Sequence, residues 1–118
     1  MTFATIVSNK LHRLICRIDW NSYRKLGRNY YDYEKYHEAI DEFKKSINIK
    51  EDSSTYAWIG KAFFRIKNYK EAIYAFRKSI TLEENWLVYK DLGYALFYSK
   101  NFHEAIDALK KSITINND

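Results

Sequence analysis

The chain has 118 residues, about one small domain, long enough to bury roughly two-thirds of its unfolded surface. Hydrophobic residues make up 47% and aromatics 18%, which excludes a chain too polar to gather a core; no Pro and 3 Gly leave little to interrupt helices. The net charge is +5 with a single cysteine, Cys16, so a disulfide scaffold is excluded and a reducing cytoplasm is the simplest expectation.

Residues 1–19 come first. The opening Met1 to Val7 is too short for a signal peptide or a membrane span, and Ser8, Asn9 and Lys10 break it. Ile6, Val7, Leu11, Leu14, Ile15 and Ile18 recur at helical spacing and predict an amphipathic helix. Moved forward by 32, Val7, Leu11, Leu14 and Ile15 fall on Ala39, Phe43, Ser46 and Ile47, which suggests a decayed second helix of an earlier repeat. The segment is expected to pack on the first repeat and shield that end. The rival reading is an interface helix for a partner or a membrane surface. Residues 1–28 also hold six basic groups against Asp19 alone, while the rest of the chain has 14 of each sign. Such a basic end favours an acidic partner, nucleic acid or a membrane surface, with a solvated helix face as the plain alternative.

From residue 20 onward the chain repeats. Gly27, Gly60 and Gly93 are spaced by 33, and that period divides the chain into 20–52, 53–85 and 86–118. Tyr23, Tyr56 and Tyr89 align, as do Leu26, Ile59 and Leu92. Glu38-Ala39-Ile40 matches Glu71-Ala72-Ile73 and Glu104-Ala105-Ile106, and Lys45-Ser46-Ile47 matches Lys78-Ser79-Ile80 and Lys111-Ser112-Ile113. Each unit reads as two helices. Tyr23, Leu26, Gly27 and Tyr30 mark one face of the first, and Ala39, Ile40, Phe43, Ser46 and Ile47 one face of the second. Turns are predicted at Tyr33-Glu34-Lys35, Ile66-Lys67-Asn68 and Ser99-Lys100-Asn101, short enough for antiparallel pairs. A mid-helix glycine costs about 1 kcal/mol against alanine, so three copies imply a steric need where Gly27 and Ala39 bring the pair together.

These columns resemble the tetratricopeptide repeat, with its W-x₂-L-G-x₂-Y, A-x₃-F and closing P. The copies here run Tyr23-x₂-Leu26-Gly27-x₂-Tyr30 with Ala39-x₃-Phe43, Tyr56-x₂-Ile59-Gly60-x₂-Phe63 with Ala72-x₃-Phe76, and Tyr89-x₂-Leu92-Gly93-x₂-Leu96 with Ala105-x₃-Leu109. The resemblance implies an all-α fold, a right-handed α-solenoid of three helix-turn-helix repeats behind an N-terminal amphipathic helix. Glu51, Glu84 and Asn117 stand where the family closes with proline, and the period is one residue short of the usual ~34. Both departures should alter the turn between repeats.

The resemblance also implies that the first helices line a concave groove that receives protein segments. Its candidate residues are Arg24, Arg28 and Tyr31, then Ala57, Trp58, Lys61, Phe64 and Arg65, then Lys90, Asp91, Tyr94, Phe97 and Tyr98. Five cations against Asp91 make a basic, aromatic surface, of the residue types that anchor interfaces, though Phe64 and Phe97 could serve only as packing between repeats. The expected partner is a protein or peptide with acidic and apolar residues. Chaperone-tail-binding members use a carboxylate clamp whose positions fall here on Arg24, Arg28, Trp58, Leu87 and Asp91; Leu87 and Asp91 lack the required positive charge, so that ligand is disfavoured. Nucleic acid is disfavoured too, because the cations form no dense stripe.

The last repeat ends without a following helix in this sequence, so Ile106, Ile113 and Ile115 are expected to face water while Ile40, Ile47 and Ile49 are covered by the next repeat. Such a ridge points to self-association into a homo-oligomer, to the interaction domain of a longer protein such as an enzyme, or to a short chain that tolerates the exposure. No catalytic or metal site is predicted, and no cofactor. His37 and His103 share one repeat column, His12 and Cys16 have no converging partners, and no glycine-rich phosphate loop occurs.

Overall fold

The computed structural model describes residues 3–117, with side chains for 10, 11 and 19–117. Among these residues there are six helices and no strand: α1 (Phe3–Asp32), α2 (Tyr36–Ile49), α3 (Ser53–Arg65), α4 (Tyr69–Leu82), α5 (Trp86–Tyr98) and α6 (Phe102–Asn117). The three predicted turns fall at the α1/α2, α3/α4 and α5/α6 connections, and the expected all-α repeat fold is observed.

Within each repeat the two helices are held by one packing unit. A Cβ built on Gly27 or Gly60 would lie 2.6 Å from ring atoms of Phe43 or Phe76, and one on Gly93 would lie 2.7 Å from Leu109. The glycines therefore make room for the large residue four positions beyond the expected alanine contact, on the following turn of the partner helix. A buried serine fastens the other end of each pair. Ser46 Oγ donates to the Trp20 carbonyl at 2.9 Å, Ser79 Oγ to Ser53 at 2.8 Å, and Ser112 Oγ to Trp86 at 2.7 Å.

The turns inside the repeats are alike. In the second, Lys67 N–H donates to the Phe64 carbonyl and Asn68 N–H to that of Phe63, at 3.0 and 2.9 Å. This is the left-handed helix stop in which the last carbonyls are satisfied by the two residues that leave the helix. It places Glu34, Lys67 and Lys100 at φ of 61°, 64° and 70°, a region normally left to glycine or asparagine. Asn68 then caps α4, its side chain accepting from Glu71 N–H.

The turns between repeats replace the missing proline with a side-chain pair. Glu51 and Glu84 accept hydrogen bonds from the Tyr56 and Tyr89 hydroxyls, at 2.9 and 3.1 Å. Asp52 and Asn85 cap α3 and α5 through Thr55 N–H and Leu87 N–H.

α2 packs on α3 and α4 on α5; α1 also touches α3, and α3 touches α5. No such contact joins α2 to α4 or α4 to α6 among the described residues, so the stack curves with α1, α3 and α5 inside. No described helix is long and apolar enough to cross a membrane.

Three expectations change. The segment 1–19 is expected as a helix of its own, but its described residues, 3–19, are the first part of α1, with no turn near residue 20. A 30-residue helix is about 45 Å long and the 14-residue α2 about 21 Å, so α2 flanks only part of it. Leu11 is exposed and does not shield the first repeat; Ile6, Val7, His12, Leu14, Ile15, Cys16 and Ile18 lie outside the described side chains. Ile49 is exposed as well, as is Leu82 in the same column. That position lies past the junction with the next repeat, so the half-buried Ile115 has no covered counterpart.

Candidate functional site

Helical periodicity sets which side chains enter the groove. Residues one and four places after the glycine column, such as Lys61 and Phe64 after Gly60, turn toward the inner face, because α3 and α5 bury their opposite sides against α4 and α6. A cleft of about 280 Å³ opens there, lined by Tyr31, Lys61, Phe64, Arg65, Phe76, Asp91 and Tyr94. A second recess of about 320 Å³ adjoins it and shares Lys61 and Asp91, with Trp58, Leu87 and Val88 among its walls.

The cations of the groove rest on aromatic rings. The Arg28 guanidinium lies 5.1 Å and the Lys61 ammonium 4.6 Å from the Trp58 ring centre. Tyr31 meets the same indole edge-on at 5.1 Å. Arg65 lies 5.8 Å from Tyr36, and the Tyr31 hydroxyl beside it holds it still more firmly protonated. Burial pushes the Tyr31 phenol up, with Arg65 opposing. These contacts hold the charged groups against the rings, with Arg28 and Arg65 exposed and Lys61 half-buried.

Asp91 is the exception. It is half-buried, and burial pushes its carboxyl up, with Lys61 and Lys90 pulling it back only in part. One carboxylate thus sits in an otherwise cationic floor.

The remaining predicted residues divide. Arg24 stacks on Trp20 at 5.2 Å and donates to Asn21 Oδ1, turning toward its own helix. Lys90 lies 5.8 Å from Trp86. Phe64 and Tyr98 contact each other across the repeats at 5.6 Å, and both pack on Tyr69. Phe97 is exposed against Tyr98 and Phe102. Sequence reasoning missed Tyr36 and Tyr69, which begin α2 and α4. Their shared column before the Glu-Ala-Ile motif was a usable signal, because it puts a ring at the groove's edge in each repeat.

Ile106 and Ile113 are exposed on α6. His37 and His103 are exposed at the starts of α2 and α6, and no grouping of three potential metal ligands occurs among the described residues.

The tetratricopeptide repeat family model matches residues 53–85 and 88–118. No curated protein sequence matches the chain. Among solved structures, a crystal structure of MamA protein is 30% identical with a TM-score of 0.78, covering 83% of this chain and 55% of that one. A second MamA structure is 28% identical with a TM-score of 0.79, covering 81% of this chain, so that the chain spans 57% of its length. The first TPR of Spaghetti (RPAP3), solved bound to the HSP90 peptide SRMEEVD, is 20% identical with a TM-score of 0.81, covering 85% and 81% of the two chains.

Proposed function

We propose that this chain, which belongs to the tetratricopeptide repeat family, is a protein-interaction module that holds a peptide segment in the groove of α1, α3 and α5. The segment carries acidic side chains next to apolar ones. The observation that carries the reading is the row Arg28, Trp58, Lys61 with Arg65 and Tyr31 beside it. Acidic groups would meet Arg28, Lys61 and Arg65, and an apolar side chain would enter between Tyr31, Phe64 and Tyr94. A cleft near 280 Å³ lies just below the range of small-molecule and cofactor sites, about 300–1,000 Å³, and so suits one anchoring side chain.

The groove favours internal acidic residues over a chain-terminal carboxylate. The HSP90 peptide held by RPAP3 ends in an acid, but here Trp58, Leu87 and Asp91 line the recess where the clamp would lie. A terminal carboxylate placed there would face Asp91, with Lys61 as the nearest cation among those walls.

The test uses fluorescent peptides with internal Glu-Leu-Glu or Glu-Phe-Glu patterns, and one ending in Glu-Glu-Val-Asp as a control. Reversing Arg28, Lys61 and Arg65 to Glu should weaken the internal-acid peptides at least tenfold, the loss of about 1.4 kcal/mol. Added salt should weaken the unaltered chain in the same direction. Unchanged affinity in the triple variant, or a preference for the control peptide, would count against the groove as drawn.

A further inference from the structure

The molecule builds one kind of junction twice, a second helix packed on the first helix of the next repeat, as α2 on α3 and α4 on α5. The second helices contribute Ile40 and Ile73, 4% and 8% exposed, and the half-buried Ile47 and Ile80. α6 keeps the same residue type in both columns, yet Ile106 is 50% and Ile113 61% exposed. The first helices contribute Ile59 and Leu92, 4% and 6% exposed. In that column α1 has Leu26, 40% exposed. The exposed faces at the two ends of the stack are thus the two halves of a junction the fold already uses.

We propose that a second copy of the chain completes it, Ile106 and Ile113 on α6 of one copy seating against Leu26 on α1 of the next. The continuity with the two interior junctions is what selects this occupant, since the ridge of α6 repeats the pattern that receives α3 and α5. Around Leu26 the α1 face is more polar than its counterparts. Ser22 replaces Thr55 and Val88, and Asn29 replaces Ala62 and Ala95. Both side chains are short enough to admit the ridge, and their polarity keeps the end junction weaker than the interior ones, so association is reversible. The contact joins two different surfaces. It therefore adds copies head to tail instead of closing a two-fold dimer. This inference concerns the ends of the stack and stands apart from the groove.

Sedimentation of the 118-residue chain over a wide concentration range tests it, with Leu26→Glu and Ile113→Glu as single variants and circular dichroism confirming that each folds. The unaltered chain should gain average mass with concentration, while each variant alone stays monomeric. An equimolar mixture of the two variants should form a one-to-one dimer and grow no further, because each supplies the face the other lacks. A monomer at every concentration overturns the proposal. So does loss of association in Ile113→Glu with Leu26→Glu unaffected, which is the signature of α6 packing on α6.

Discussion

A methyl group added at Gly60 would meet two ring atoms of Phe76 at 2.6 Å, and Phe76 is buried with no room to yield. Overpacking of this kind costs about 1–3 kcal/mol, against a gain of roughly 1 kcal/mol in helix propensity. Gly60→Ala should therefore lower stability in urea melts by about 1 kcal/mol net. At Gly93 the neighbour is the half-buried tip of Leu109, which can rotate aside, so Gly93→Ala should fall within about 0.5 kcal/mol of neutral. Equal losses at the two sites would contradict this account of the column. The glycine period was plain in the sequence; the residue each glycine faces was not, because it depends on the relative slide of two helices. The left-handed turns were hidden for a different reason. Glu34, Lys67 and Lys100 are not residue types that advertise positive φ, and only the shared position in each repeat hints at it. Lys67→Gly should relieve that strain and raise stability by about 0.5–1 kcal/mol. In a thermal melt this is a gain of roughly 2–8 °C, and a lower melting temperature would show that the backbone there is not strained.

Two elements illustrate what repeat reasoning reads well and what it misreads. The three turns inside the repeats fall at 33–35, 66–68 and 99–101, because polar interruptions in a strong period leave no other place for them. Carrying the period upstream divides α1 at residue 20, yet no glycine precedes Gly27 and the chain has no proline, so nothing in those residues breaks a helix. The links between repeats were readable in part. Tyr in the family's Trp column and Glu in its Pro column recur together, and the structure joins them as Tyr56–Glu51 and Tyr89–Glu84. Burial, followed by the bond to Glu51, pushes Tyr56 up to about 12. The folded state thus keeps a proton that the unfolded chain loses near pH 10. The stability this provides is complete below pH 10 and is lost as the pH rises toward about 12. Tyr56→Phe should accordingly be less stable than the unaltered chain at neutral pH, by about 0.5–1.5 kcal/mol, and should show a shallower decline above pH 10. Parallel decline of the two proteins in denaturant titrations across that range would refute the Tyr56 proton as the cause.

At the scale of the whole molecule, curvature makes the groove. The first helices approach one another and the second helices do not, so the columns beside Ile59 and Leu92 converge on one face. Helical period was enough to nominate Arg28, Tyr31, Trp58, Lys61 and Arg65. What it could not supply is the convergence of Arg28, Lys61 and Tyr31 on the single Trp58 ring, since these residues come from two helices. Nor could it supply the half-buried state of Asp91, which depends on neighbours in other helices. The groove account is tested most directly by two-dimensional amide and indole NMR, titrating the chain with a peptide carrying an internal Glu-Leu-Glu pattern. Shifts should concentrate at the Trp58 indole N–H and at the amides around Arg28, Lys61, Arg65 and Tyr94. Shifts confined to α2, α4 and α6, with the Trp58 indole unmoved at saturation, would contradict it.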